Sequence, residues 1–118
     1  MILAALILFS LAAVLGVSLI VLGVRYRRSS MTLGAGHAAT AVLGLVVLGW
    51  ALFHSPVHML YNDAALLLVF ALLGGLLLLA LRVQERGQRK PPPMVVVSLH
   101  AVMAVVGILV LLAGYTHP

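Results

Sequence analysis

The sequence predicts an all-α integral membrane protein, a four-helix bundle formed by a duplicated helical hairpin. Hydrophobic residues make up 64% of the 118 residues and charged residues only 8%, whereas soluble chains average about 25% charged residues. The apolar residues gather in four stretches, each close to the roughly 20 residues that a helix needs to cross a bilayer. Part of the second stretch also recurs in the fourth, which indicates the duplication.

We predict a single membrane domain, residues 1–118, with spans at about 2–24, 33–53, 64–81 and 94–115. Backbone polar groups in lipid must be satisfied within the spanning segment, and the stretches lack the alternating polar residues of a barrel, so the spans are expected to be helices. The first stretch has no positive residues before it, which favours a retained helix over a signal peptide. Short connections predict an antiparallel bundle.

Basic residues follow the first and third spans, whereas segment 54–63 has neither lysine nor arginine. By the positive-inside rule, both termini are expected outside the cytoplasm, in a bacterial inner membrane. The basic residues are Arg25, Arg27 and Arg28 after span one, and Arg82, Arg86, Arg89 and Lys90 after span three. Trp50, Tyr61 and Tyr115 are predicted at the outer boundary, Tyr26 at the inner one, and the proline run 91–93 at the start of span four.

Several functional classes are excluded or disfavoured by composition. The absence of cysteine excludes a disulfide, a thiolate metal site, covalently attached haem and an iron–sulfur cluster. The basic residues form short clusters without a face interleaved with aromatic residues, so we expect no nucleic-acid partner. The two acidic residues, Asp63 and Glu85, are predicted in loops, which disfavours a proton-coupled exporter that uses an intramembrane carboxylate.

The internal repeat is carried by histidines. A shift of 63 positions places His37 on His100, His54 on His117 and Gly44 on Gly107. The chain has only five histidines, and four of them form these two aligned pairs. Spans one and three align poorly at this shift, so the repeat is supported only for the second helix of each hairpin.

His37 and His100 are predicted at the same depth, about two turns, or roughly 9 Å, from the cytoplasmic end of parallel spans. Polar residues inside a bilayer are costly and usually functional, and paired neutral imidazoles can hold haem iron. Small residues follow each histidine by one, four and seven positions, and we expect them to form a groove for the macrocycle: Ala38, Ala41, Gly44, Ala101, Ala104 and Gly107. Alternatively, these residues simply let helices pack closely around hydrogen-bonded histidines, or the pair serves a metal or a proton.

His54 and His117 lie 17 residues beyond the first pair, about 100° around the helix from its face. We expect them at the outer interface, as ligands of a second haem iron. Alternatively, His54, His58, Met59, Asp63 and His117 form a copper or zinc site, because imidazole and thioether suit these metals. A third alternative is a set of interfacial polar residues in which Asp63 caps span three.

His37-Ala38, His100-Ala101, their alanine and glycine followers, and the pair His54 and His117 give spans two and four a resemblance to the bis-histidine transmembrane cytochromes b. The spacing of 17 residues departs from that class, in which the two histidines of a helix lie closer and share a face. The resemblance implies one or two haems b, electron transfer, partner redox subunits or a homo-oligomer, and contact with quinone.

The predicted function is therefore electron transfer through haem, by a carrier or oxidoreductase subunit rather than a stand-alone enzyme. Propionates at the inner haem would point to the cytoplasmic rim, where Arg25 or Arg82 can donate charge-assisted hydrogen bonds. The alternatives are a haem-free accessory subunit of a respiratory or photosynthetic complex, and a periplasmic-face copper or zinc protein.

Overall fold

The computed structural model describes residues 1–54, 59–84 and 93–117. Over these ranges the chain forms four helices and no strand: α1 (Ile2–Val24), α2 (Met31–His54), α3 (Met59–Gln84) and α4 (Met94–Thr116). All four are long and apolar enough to cross a membrane, so the predicted all-α four-helix fold is confirmed. The predicted roles of His58, Glu85, Arg86, Arg89, Lys90, Pro91 and Pro92 lie outside the described residues.

Two helices begin earlier than the apolar stretches that mark them. The Leu33 amide donates to Ser30 Oγ at 3.1 Å, which caps α2 and sets its start at Met31. Helix α3 begins at Met59, so Asp63 lies within its second turn and is exposed. The expectation that Asp63 sits in a loop or caps span three is therefore wrong, because helical backbone hydrogen bonds continue beyond the apolar part of the helix.

The turn after α1 is closed by a backbone motif. The Arg28 amide donates to the Leu22 carbonyl at 3.0 Å, and Arg27 has a positive φ of 51°. This hydrogen bond spans six residues, one more than the bond that defines a Schellman motif, and it is made next to a left-handed residue of the kind that usually is glycine at helix ends. It satisfies a free carbonyl at the end of α1 and reverses the chain, so that α2 runs back along α1.

The two helical hairpins are antiparallel and pack side by side. Phe9 near the start of α1 contacts Gly44 late in α2, and Gly16 contacts His37 early in α2. Helix α2 also contacts α3, and α1 contacts α4, whereas α2 and α4 lie diagonally opposite. We call the end where α1 and α3 finish the arginine end, defined by Arg25 and Arg82, and the opposite end, near His54 and Thr116, the far end.

The apolar core occupies the far half of the bundle. Its largest fully buried side chains are Leu48 and Leu111, and the core cluster comprises Ala5, Leu6, Phe9, Leu48, Ala64, Leu68 and Leu111. Large apolar side chains cover the outside as well; Phe53 is 89% exposed and Val95 is 73% exposed. Such a surface is unfavourable in water and matches the lipid-facing exterior of a membrane bundle.

The structure extends the repeat to the first helix of each hairpin. The buried residues of α3, Ala64, Leu68 and Ala71, occupy the places that Ala5, Phe9 and Ala12 hold in α1. Their numbers differ by 59 rather than by the 63 that relates α2 to α4, because 29 residues separate Ala71 from His100 but only 25 separate Ala12 from His37. A single shift therefore aligns only one helix of the hairpin.

Candidate functional site: the paired histidines

His37 and His100 meet across the centre of the bundle. Each is the seventh residue of its helix, so the two lie at equivalent depth, as the repeat predicts. Their ring centroids are 6.0 Å apart and the ring planes are inclined by 84°. Since α2 and α4 do not contact each other directly, the two side chains bridge the diagonal between them.

Each imidazole is bound by a carbonyl of the other helix in its own hairpin. His37 Nδ1 lies 2.7 Å from the Ala12 carbonyl oxygen of α1, and His100 Nδ1 lies 2.6 Å from the Ala71 carbonyl oxygen of α3. A carbonyl oxygen only accepts, so each Nδ1 carries a proton and donates it. In the neutral ring this leaves Nε2 with a free lone pair, which is the form that binds a metal.

Glycines make this close approach possible. A Cβ added to Gly16 would lie 3.0 Å from His37 Cε1, and one added to Gly75 would lie 3.0 Å from His100 Cε1. A Cβ added to Gly74 would likewise lie 3.3 Å from the Cβ of His100. Both rings therefore lie directly on the backbone of the neighbouring helix.

The groove predicted from the small residues is partly filled. A Cβ on Gly44 would lie 2.9 Å from Phe9 Cε1, and one on Gly107 would lie 2.9 Å from Leu68 Cγ. The expectation that the groove extends to Gly44 and Gly107 is thus wrong, because α1 and α3 each insert a large side chain there. Phe9 and Leu68 therefore close the far side of the histidine pair, whereas towards the arginine end Val97 is the one buried apolar residue among the described positions.

The structure separates the two candidate arginines. The Arg82 Nη1 atom lies 3.6 Å from the position of a Cβ on Gly34, at the start of α2, and Gly34 is one turn before His37. Arg25 instead places its guanidinium 6.0 Å from the ring centroid of Tyr26, beyond the end of α1, and is exposed. Of these two arginines, Arg82 is therefore the one that lies beside the start of α2, one turn before His37.

The outer histidines lie at the far end, at the last residue of α2 and just after α4. His54 Nδ1 lies 3.0 Å from the Trp50 carbonyl of its own helix, and its ring stacks on Trp50 with centroids 4.0 Å apart. His117 follows the last turn of α4 and is exposed. In the described ranges no group of three or more metal-binding side chains is found, while His58 is outside them. The second haem and the copper or zinc site stay predictions.

No protein-family model, curated protein or solved structure matches this chain. The function must therefore be inferred from the chemistry of the paired histidines and their surroundings.

Sequence reasoning found the two histidines but missed the residues that hold them. The carbonyls of Ala12 and Ala71 and the glycines Gly16 and Gly75 belong to spans one and three, which the 63-residue shift does not align. A signal was present, because Ala-x-x-x-Gly occurs in both spans. It becomes visible only when each span is aligned with its own shift.

Proposed function

We propose that the protein is a membrane b-type cytochrome that transfers electrons through one haem held between His37 and His100, as a subunit of a redox complex. The observation that supports this most is the pair of Nδ1-bound imidazoles 6.0 Å apart. Two metal–nitrogen bonds of about 2 Å each, made by opposed imidazoles, place the ring centroids about 6 Å apart. The distance between the His37 and His100 ring centroids equals this spacing.

The surroundings fit the same proposal. Hydrogen bonds from Nδ1 to Ala12 and Ala71 orient the rings and raise the basicity of Nε2, as partners of metal-bound histidines commonly do. Gly16, Gly74 and Gly75 have no side chains, so the neighbouring helices leave room for the two imidazole rings at these positions. Apolar helices around the site exclude water, and Arg82 supplies a positive charge for acidic groups at the arginine end. Haem, when bound, supplies a ferric–ferrous couple, and the chain tunes it through these ligands and charges.

The test is haem content and the absorption spectrum of the purified protein. We expect about one haem per chain, with a Soret band and sharpened alpha and beta bands on reduction. His37→Ala and His100→Ala should each abolish the low-spin spectrum, and free imidazole should partly restore it. His54→Ala is the matched control, since this histidine lies on α2 but hydrogen-bonds within its own helix.

Each outcome discriminates between the functional classes. Two haems per chain would add the pair His54 and His117 as ligands and would make His54→Ala lose half of the haem. Haem content of zero after expression with sufficient haem, or full low-spin spectra in both inner histidine variants, would overturn the proposal. A haem-free accessory subunit would then explain the bundle better, with the histidines acting as hydrogen-bonding packing residues.

A further inference from the structure

We propose that Gly16 and Gly75 are positioning residues that open the carbonyls of Ala12 and Ala71 to the histidines and thereby set the tautomer of both rings. In an α-helix, the carbonyl of residue i already accepts the amide of residue i+4. The fourth residue after Ala12 is Gly16, and the fourth after Ala71 is Gly75. Each carbonyl oxygen therefore accepts a second hydrogen bond, from a histidine of another helix.

The geometry explains why glycine is needed at these positions. A helical side chain leans towards the N-terminus and covers the surface of the preceding turn. At position 16 it would cover the approach to the Ala12 carbonyl, and at position 75 the approach to the Ala71 carbonyl. With glycine in both places, His37 and His100 come within 2.7 and 2.6 Å of the oxygen atoms.

The two hairpins show the same arrangement independently. A Cβ at position 16 would lie 3.0, 3.4 and 3.8 Å from Cε1, Nδ1 and Nε2 of His37. At position 75 the corresponding distances to His100 are 3.0, 3.5 and 3.7 Å. Close helix packing alone needs small residues but no polar contact, whereas here each glycine accompanies a hydrogen bond that presents the Nε2 lone pair. The repetition therefore points to control of the imidazoles.

The predicted effect of the glycines on metal binding rests on the proposed function, whereas their predicted effect on the histidine tautomers does not. The primary measurement is nitrogen NMR of isotope-labelled histidine in the haem-free protein in detergent micelles. In the unmodified chain, both His37 and His100 should carry the proton on Nδ1. Gly16→Ala should shift His37 alone towards the Nε2-protonated form, and Gly75→Ala should shift His100 alone.

Gly49→Ala is the matched control, because nothing lies within 4 Å of a Cβ at that position. It should leave both tautomers unchanged. A general loosening of the bundle would alter both histidines together, so the one-to-one pattern distinguishes positioning from packing. If neither Gly16→Ala nor Gly75→Ala folds, the tautomers of His37 and His100 in the unmodified chain still test the inference. An Nε2-protonated ring at either histidine overturns it.

Titration with haemin provides the second readout. Loss of a hydrogen-bonding partner of a metal ligand typically lowers metal affinity 10–100-fold, so Gly16→Ala and Gly75→Ala should weaken haem binding at least about tenfold relative to Gly49→Ala. If the tautomers shift as expected but no variant binds haem, the proposed function fails and the positioning role stands. If haem binds and neither alanine variant changes its histidine, the positioning role fails and the proposed function stands.

Discussion

Gly107→Ala tests whether the small residues after the histidines serve packing or leave a groove. The added Cβ would lie 2.9 Å from Leu68 Cγ, 3.0 Å from Leu68 Cδ2 and 3.3 Å from Leu67 Cβ. Carbon atoms in favourable contact are about 3.5–4.0 Å apart. Leu68 is 4% exposed and Leu67 Cβ is fixed to the backbone, so the methyl group can be accommodated only if α3 and α4 separate.

The expected cost follows from these contacts. Overpacking of a filled core costs about 1–3 kcal/mol, and replacing glycine with alanine inside a helix returns up to about 1 kcal/mol. Gly36→Ala provides the reference, because it has the same helix preference and nothing within 4 Å of the added Cβ. Gly107→Ala should therefore be about 1–3 kcal/mol less stable than Gly36→Ala.

The assay is unfolding by sodium dodecyl sulfate in mixed micelles, followed by the fluorescence of the single tryptophan, Trp50. Shortening Leu68 to alanine in the Gly107→Ala background should recover part of the loss, because contacting residues couple energetically. Equal stability of Gly107→Ala and Gly36→Ala would refute the close contact. Loss of haem from a Gly107→Ala protein of unchanged stability would show instead that the macrocycle lies along this face.

Two further predictions concern charge and topology. Arg82→Gln should lower the haem reduction potential, because removing a nearby positive charge favours the more positive ferric state, whereas exposed Arg25→Gln should have little effect in the same redox titration. An unchanged potential in Arg82→Gln would remove this arginine from the site. A cysteine replacing His58 should react with an impermeant reagent added outside intact cells, and one replacing Gln88 should not; reversed labelling would invert the proposed orientation.

The sequence by itself determined the number of helices, their approximate limits and the juxtaposition of His37 and His100. The sequence determines these features because the bilayer imposes a length and a polarity on every span, whatever its neighbours are. The histidine repeat adds register, since equal distances from equivalent helix starts give equal depth. The residues at which the helices begin and end were harder to predict from the sequence, as Asp63 shows. Apolar residues mark the part of a helix within lipid, whereas capping and turns decide where the helix ends.

Only the tertiary structure decided what surrounds the histidines. Alanine and glycine following His37 and His100 are compatible with a groove or with close packing, and composition cannot distinguish them. The answer depends on Phe9 and Leu68, which come from the other helix of each hairpin and fill the spaces beside Gly44 and Gly107. In the same way, the tautomers of the two rings depend on carbonyls 25 and 29 residues away in the chain, because folding brings together groups that no local pattern connects.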